Sequence, residues 1–130
     1  MEDAVERILQ AKEEGEKVLI FGDSDVDGIT STAILYEYLV SIGLDVQWRL
    51  PLADDAYGLS IDAIDDFAKQ DGSLIITVDC GISNYDEIDH ANELGIEVII
   101  TDHHEPAEEL PKACALLNPK TEAESPQLKE

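Results

Sequence analysis

Residues 18–28 read Val18-Leu19-Ile20-Phe21-Gly22-Asp23-Ser24-Asp25-Val26-Asp27-Gly28. In this stretch an apolar run is followed by three carboxylates at every second position, enclosed by two glycines. This change of composition predicts a buried strand that ends in a tight turn, with a helix after it. Carboxylates crowded into one turn repel each other unless a cation neutralises them, and oxygen ligands suit a hard divalent ion such as Mg²⁺, Mn²⁺ or Ca²⁺. We interpret the stretch as a metal-binding turn, with an acidic surface loop as the alternative.

The pattern Asp-x-Asp-x-Asp-Gly is also typical of the start of an EF-hand calcium loop. In that loop the twelfth position is a bidentate Glu, and a helix precedes the first position. Here the twelfth position counted from Asp23 is Ile34, and an apolar run precedes the turn. The sequence therefore argues against an EF-hand.

The composition indicates a single domain with a strongly acidic surface. The chain has 130 residues, of which 44% are apolar, and 30 acidic against 8 basic residues give a formal charge of −22. This charge argues against a free-standing basic nucleic-acid module, and it favours reliance on cations or adaptation to high salt. A phosphate substrate would have to be met by metal ions.

The two cysteines, the N-terminus and the hydropathy pattern bear on the compartment. Cys80 and Cys114 lie far apart without the spacing of a pair or a metal site, so we expect buried thiols in a reducing compartment. The N-terminus is acidic, and no apolar run approaches the roughly 18 residues of a membrane span. We expect a cytoplasmic protein that does not associate with a membrane.

Apolar runs and helical periodicities alternate along the chain. The apolar runs predict strands at 17–21, 46–50, 74–78 and 96–100, and a weaker fifth strand at 113–117. The periodicities predict helices at 3–14, at 29–42, between Ser60 and Asp71, between Ser83 and Gly95, and a short helical turn at 106–110. This alternation predicts an α/β fold in three layers, with a mainly parallel sheet of about five strands and helices on both faces.

The helices carry further expectations about caps and packing. Candidate N-caps are Asp3, Ser60 and Ser83. The helix at 29–42 is apolar on nearly all sides and is expected to be deeply buried, whereas the helix at 3–14 is expected to lie on the core through Val5, Ile8 and Leu9. His90 is expected on the surface and Trp48 beside the sheet.

Three of the predicted strands deliver polar side chains at their carboxyl ends. In open parallel sheets, ligands bind beyond that edge. The strands that end at Phe21, Val78 and Ile100 are followed by these candidate ligands: Asp23, Asp25 and Asp27, then Asp79, then Asp102, His103 and His104. Several carboxylates with one or two imidazoles can hold two Mn²⁺ or Mg²⁺ ions about 3.5–4 Å apart, which favours phosphoester or phosphoanhydride hydrolysis.

Each of these residues also has a simpler interpretation when taken alone. Asp79 could cap the approach to a helix, and a His-His pair is often solvated or structural. Asp102 could orient His103 or cap the short turn at 106–110. Their coincidence at one edge of the sheet favours a metal site. A histidine beside a ligating histidine can then bind the phosphate or protonate the leaving oxygen.

Three segments resemble, in order, the first three motifs of the DHH phosphoesterase superfamily, and in detail those of the RecJ family of single-strand-specific 5′→3′ DNA exonucleases. The segments are Gly22 to Ala33, Ile75 to Ile82 and Val98 to Glu105, and the residues from Leu110 to Pro119 add a fourth similarity. The resemblance covers residues 17–119. It implies that residues 1–119 are the N-terminal part of a DHH domain, and that residues 120–130 are a polar tail or linker.

The resemblance also implies roles for individual residues. It implies two Mn²⁺ or Mg²⁺ ions whose ligands are Asp25, Asp27, Asp79 and His103. Asp79 matches the position that bridges the two ions, and Asp23 matches a position at the edge of the metal site. His104 matches a residue that faces the scissile phosphate, so Asp79 and His104 are the candidate catalytic residues.

The sequence departs from the RecJ pattern at several positions. Ser24 and Val26 replace the usual Tyr and Ala, which are not ligands. Ala53 replaces a basic residue after Pro51 and is followed by two aspartates, which weakens the expected phosphate-binding loop. No Asp follows Asp102, so the further ligand that the family takes from a fourth motif is absent from these residues.

These observations leave three functional interpretations. The first is the two-metal phosphodiesterase domain of a RecJ-like single-stranded-DNA exonuclease that is incomplete as an isolated chain. Its expected partners are single-stranded DNA and a C-terminal domain or partner subunit. The second is a DHH phosphatase or phosphodiesterase that acts on a small substrate such as pyrophosphate, an oligonucleotide or a cyclic dinucleotide. The third is a non-catalytic binding relative.

Overall fold

The computed structural model describes residues 2–51 and 58–120. Its elements in chain order are α1 (Glu2–Glu14), β1 (Lys17–Gly22), α2 (Val26–Ser41), β2 (Asp45–Arg49), α3 (Ile61–Lys69), β3 (Leu74–Val78), α4 (Tyr85–Glu93), β4 (Glu97–Thr101) and β5 (Ala115–Leu117). The predicted loop residues Ala53, Asp54, Asp55 and Tyr57 and the predicted polar tail after Lys120 lie outside the described residues.

The strands form one parallel sheet in the order β2-β1-β3-β4-β5. One buried cluster joins the sheet to α3 and α4 through residues such as Ile64, Phe67 and Ile88. A second buried cluster joins the opposite face to α1 and α2 through residues such as Ala11 and Leu39. The predicted three-layer α/β fold is therefore confirmed.

The packing of α2 differs from the expectation. The helix begins at Val26, and its buried residues are Gly28, Thr32 and Leu39. By contrast, Val26 is 78% exposed and Ile34 is 66% exposed, so the expectation of deep burial is wrong. One side of α2 lies on the sheet, in contact with β1, β2 and β3, and the other side is open at these apolar residues. A sequence can show that a helix surface is apolar, but it does not show what covers that surface.

The packing of α1 also differs from the expectation. Its buried side is formed by Ala4, Arg7 and Ala11, and the predicted core contact of Ile8 is confirmed, since Ile8 packs half-buried against the second cluster. Val5 and Leu9 are instead each 46% exposed. Small residues let the helix approach the sheet closely, and the Arg7 guanidinium is paired with Glu16 and Glu97 at 2.7 and 3.0 Å. Asp3 lies inside the first turn of the helix and does not cap it.

The other helix ends give one confirmation and two corrections. Ser60 caps α3, since its hydroxyl accepts a hydrogen bond from the Ala63 amide at 3.2 Å. The N-cap position of α4 is Asn84 and not Ser83, and its side chain accepts from the Leu59 amide instead. No helical turn forms at 106–110. That segment is held by a bond from the Tyr85 hydroxyl to the Glu109 carbonyl.

The exposure of the two cysteines, His90 and Trp48 can be compared with the predictions. Cys80 is fully buried as expected, whereas Cys114 is half-buried. His90, which was predicted on the surface, is half-buried and pairs with Asp65 at 2.7 Å. Trp48 lies on the edge strand β2 and is 56% exposed. Among the described residues, no helix has both the length and the apolar character needed to cross a bilayer.

Candidate metal centre

The candidate site lies where the order of the strands reverses. The chain leaves β1 for β2 on one side of it and later returns to β3 on its other side, so the carboxyl ends of β1 and β3 flank the switch point. The register pairs Gly22 with Val78 and Val78 with Thr101, which brings three strand ends level with one another. Ligands of open parallel sheets gather at such a position.

The side chains that follow these strands form two groups that share Asp79. In one group Asp79 lies with His103 and His104, and in the other it lies with Asp23 and Asp25. Within each group, one donor atom from every residue lies within 4.8 Å of the others. The structure thus brings together residues from three segments that are far apart in the sequence.

Asp27 occupies a different place from the other carboxylates. Its side chain is 72% exposed, and its Oδ2 lies 3.9 Å from His103 Nε2. It lies in neither of the two groups that contain Asp79. Asp27 borders an open cleft of about 550 Å³ that runs from Asp79 along the first turns of α2 to Leu117.

The turn after β1 is built by glycine and by helix capping. A Cβ at Gly28 would lie 2.0 Å from the Asp23 carbonyl oxygen, so only glycine permits this close approach. Asp25 is the N-cap of α2, and its Oδ1 accepts from the Gly28 amide at 2.8 Å. This hydrogen bond lowers the pKa of Asp25 from its usual value.

The turn after β3 is buried and has an unusual backbone. Asp79 has φ of 61°, in the left-handed region, and its side chain is only 4% exposed. Burial, together with the neighbouring Asp25 carboxylate, raises the pKa of Asp79. His103 opposes this effect, because its Nε2 lies 2.5 Å from Asp79 Oδ1. A cation at this point would relieve both the burial cost and the repulsion.

The turn after β4 is organised by Asp102, whose side chain is fully buried. Its Oδ1 accepts from the backbone amide of His103 at 2.8 Å and bonds to His104 Nδ1 at 2.5 Å. Asp102 therefore orients the imidazole of His104, and not that of His103 or the turn at 106–110. The hydrogen bond raises the pKa of His104. The Oδ2 atom of Asp102 accepts from the Ile82 amide at 3.2 Å.

The donor set fits the ions that the sequence predicts. Carboxylate oxygens with one or two imidazole nitrogens suit Mn²⁺ and Mg²⁺, and a thiolate ligand that would favour a softer metal is absent from both groups. The buried carboxylate of Asp79 lies between the two groups. The residues present are therefore compatible with two ions that share one carboxylate.

The sequence of this chain matches one protein family and several curated proteins. The family described as "DHH family, N-terminal domain" matches residues 17–127. The chain belongs to the DHH family. Among curated DHH proteins, it is 43% identical to the single-stranded-DNA-specific exonuclease RecJ of Bacillus subtilis over 92% of this chain and 15% of that protein. It is 42% identical to RecJ of Escherichia coli over 92% of this chain and 21% of that protein.

Solved structures give the same relationship. The fold matches that of a RecJ exonuclease bound to manganese with a TM-score of 0.86 and 33% identity, over 95% of this chain and 32% of that one. It matches the Mn²⁺ complex of RecJ from Thermus thermophilus with a TM-score of 0.79 and 35% identity, over 99% of this chain and 18% of that one. This DHH chain spans about a fifth or less of the curated relatives' length.

Two residues that were not predicted from the sequence stabilise the turns of the site. Thr77 donates to the Cys80 carbonyl, and Asn118 donates to the His104 carbonyl at 2.9 Å. Both side chains are fully buried. For Thr77 a signal was available, because it is the one polar residue in an otherwise apolar strand.

Proposed function

We propose that this chain is the metal-binding catalytic part of a RecJ-like single-stranded-DNA 5′→3′ exonuclease of the two-metal phosphodiesterase type. The observation that carries the proposal is the position of Asp79, which contributes to both groups of donors. The similarity to RecJ exonucleases over most of this chain supports DNA, and not a small phosphoester, as the substrate class. It also supports a catalytic role over a purely binding one.

The proposed ligands are Asp25, Asp27, Asp79 and His103, with Asp23 at the edge of the site. Asp79 would serve both ion positions, because it lies in both groups of donors, and Asp25, at the N-terminus of α2, lies with it in one of them. When bound, two Mn²⁺ or Mg²⁺ ions supply an activated water and stabilise both oxygens of an in-line phosphoryl displacement. The acidic chain itself offers few positive charges for a phosphate.

His104 is the proposed contact to the scissile phosphate. Its Nδ1 is engaged by the buried carboxylate of Asp102, which fixes the orientation of the ring. In this orientation, Nε2 binds a phosphate oxygen or gives a proton to the leaving oxygen. The side chain is 41% exposed, so substrate has access to it.

The whole activity needs more polypeptide than these 130 residues. We propose that a C-terminal domain or a partner subunit supplies a further ligand and closes over single-stranded DNA, and that the protein works in the cytoplasm. The chain spans 15–21% of the length of its curated relatives. Residues 1–130 alone are therefore expected to show little or no exonuclease activity.

The proposal can be tested in a chimera. This chain replaces the matching segment of Bacillus subtilis RecJ, and degradation of 5′-labelled single-stranded DNA is measured with Mn²⁺. We expect activity in the chimera and none after Asp79→Ala, while Asp89→Ala removes an exposed carboxylate on α4 and keeps the activity. A chimera that folds and binds Mn²⁺ but leaves DNA intact would contradict the proposal, as would strong activity of residues 1–130 alone.

A further inference from the structure

We propose that Thr77 is a positioning residue for Asp79. Its buried hydroxyl closes the turn that holds Asp79 in the left-handed conformation, and so places one carboxylate within reach of both groups of donors. The inference rests on the proposed function, because it concerns the same metal centre. The Thr77 hydroxyl is directed at the Cys80 carbonyl, so Thr77 is proposed to act through Asp79 and not as a ligand.

The first observation is the hydrogen bond that spans the turn. Thr77 is fully buried, and its Oγ1 donates to the Cys80 carbonyl at 2.8 Å, which closes a loop around Asp79. A side chain other than glycine is strained in the left-handed region, although Asp tolerates it better than most residues. A buried hydrogen bond across the turn helps to offset that strain.

The second observation is that the hydroxyl has a prepared position. Gly81 has φ of 106°, and a Cβ on it would lie 2.7 Å from Thr77 Oγ1. The glycine therefore keeps open the space that the hydroxyl occupies. A larger residue at position 81 would push the hydroxyl away from the Cys80 carbonyl.

The third observation is that Thr77 connects the turns after β3 and β4. Its carbonyl accepts from the Thr101 hydroxyl at 2.7 Å, and the Asp79 amide donates to the Thr101 carbonyl at 2.9 Å. Thr101 directly precedes Asp102 and the two histidines. Bonds through Thr77 and Thr101 thus fix the position of Asp79 relative to His103.

The alternative is that the Thr77 side chain contributes only packing within β3 and that its hydroxyl does not position Asp79. Three substitutions separate the two roles. Thr77→Val keeps the branched shape and removes the hydroxyl, whereas Thr77→Ser keeps the hydroxyl and removes a methyl group. Thr32→Val is the matched control: Thr32 is 4% exposed, and its hydroxyl makes no hydrogen bond within the described residues.

The first measurement is Mn²⁺ affinity by calorimetry on the purified chain. Partners that orient a metal ligand contribute about 10–100-fold to metal affinity. We expect Thr77→Val to lose at least tenfold, and Thr77→Ser and Thr32→Val to bind as the wild type does. Equal losses in Thr77→Val and Thr77→Ser would overturn the inference, and so would unchanged binding by a folded Thr77→Val chain.

The second measurement is the set of backbone chemical shifts of Asp79 and Cys80 in the metal-free chain. We expect the left-handed signature of Asp79 to persist in Thr77→Ser and to be lost in Thr77→Val; persistence in both would overturn the inference. If Thr77→Val does not fold, Thr77→Ala against Thr77→Ser makes the same comparison. Because the shifts need no metal, a wild-type chain that binds no Mn²⁺ would contradict the proposed function but leave this test intact.

Discussion

Asp25 and Asp79 contribute to the same group of donors, yet the chain holds them in opposite ways. Asp25 is exposed, caps a helix and has its pKa lowered by the Gly28 amide. Asp79 is buried in a left-handed turn, and burial raises its pKa. The capping hydrogen bond favours the charged form of Asp25 without a metal ion, whereas burial disfavours the charged form of Asp79, and a bound cation would offset that cost.

The largest expected difference between Asp79 and Asp25 is the effect of their substitution on Mn²⁺ binding. We expect Asp79→Ala to abolish Mn²⁺ binding, because both groups of donors lose their common member. Asp25→Ala should lose one ion and keep the ion near Asp79 and His103. Calorimetric stoichiometry checks both, and Asp89→Ala on the far helix serves as the control. Equal stoichiometry in the Asp79 and Asp25 variants would remove the distinction between the two residues.

The next effect tests whether metal binding depends on the ion pairs near the amino ends of the strands, opposite the candidate metal centre. Arg7 is 9% exposed and is paired with Glu16 and Glu97. Arg7→Met should lower the free energy of unfolding by about 1–3 kcal/mol, since it leaves the mostly buried Glu16 carboxylate without its hydrogen-bond partner. Mn²⁺ affinity should not change. A fall in Mn²⁺ affinity in the folded variant would show that the Arg7 ion pairs and the metal centre are coupled.

A smaller effect concerns the stability of the metal-free chain. Asp79→Asn removes a buried charge while keeping a residue that tolerates the left-handed region, so we expect an increase of about 1 kcal/mol in unfolding free energy. Asp25→Ala should lower it, because the cap of α2 is lost. Denaturant unfolding in the presence of a chelator measures both. If both substitutions changed the free energy of unfolding in the same direction, the proposed contrast between Asp25 and Asp79 would be contradicted.

The smallest effect is a pH dependence of the metal-free chain. The folded pKa of His104 is raised by Asp102, so its stabilisation is fully present below about pH 6.5, the unfolded value, and is lost as the pH rises through the folded value. Thermal unfolding at pH 6 and pH 8.5 should show this loss, and His104→Gln should reduce it. An identical pH dependence in His104→Gln would contradict the assignment.

The strands of the sheet could be predicted closely from the sequence. β3 spans Leu74–Val78 as predicted, because a strand buried on both faces leaves a continuous apolar run. The meeting of Asp79 with the residues after β1 and β4 followed from parallel topology, since parallel strands end at one edge. The strand depends on the local apolar pattern, and the meeting of the side chains depends on the rule that strands joined through helices are parallel.

The rest depended on contacts that local pattern does not encode. The exposure of α2 depends on what covers its outer side, and the bond from Asp102 to His104 depends on how the chain turns after β4. Asn84 occupies the N-cap position of α4 without capping the helix, since its side chain accepts from the amide of Leu59, which lies far away in the sequence. Such long-range pairings are set by the assembled fold.

The most direct test of the central claim is a crystal structure of the chain soaked with Mn²⁺, with the ions located by anomalous scattering. We expect two manganese peaks, both bonded to the carboxylate of Asp79, with Asp25 near one and His103 near the other. Manganese bound at the rim without contact to Asp79 would contradict it.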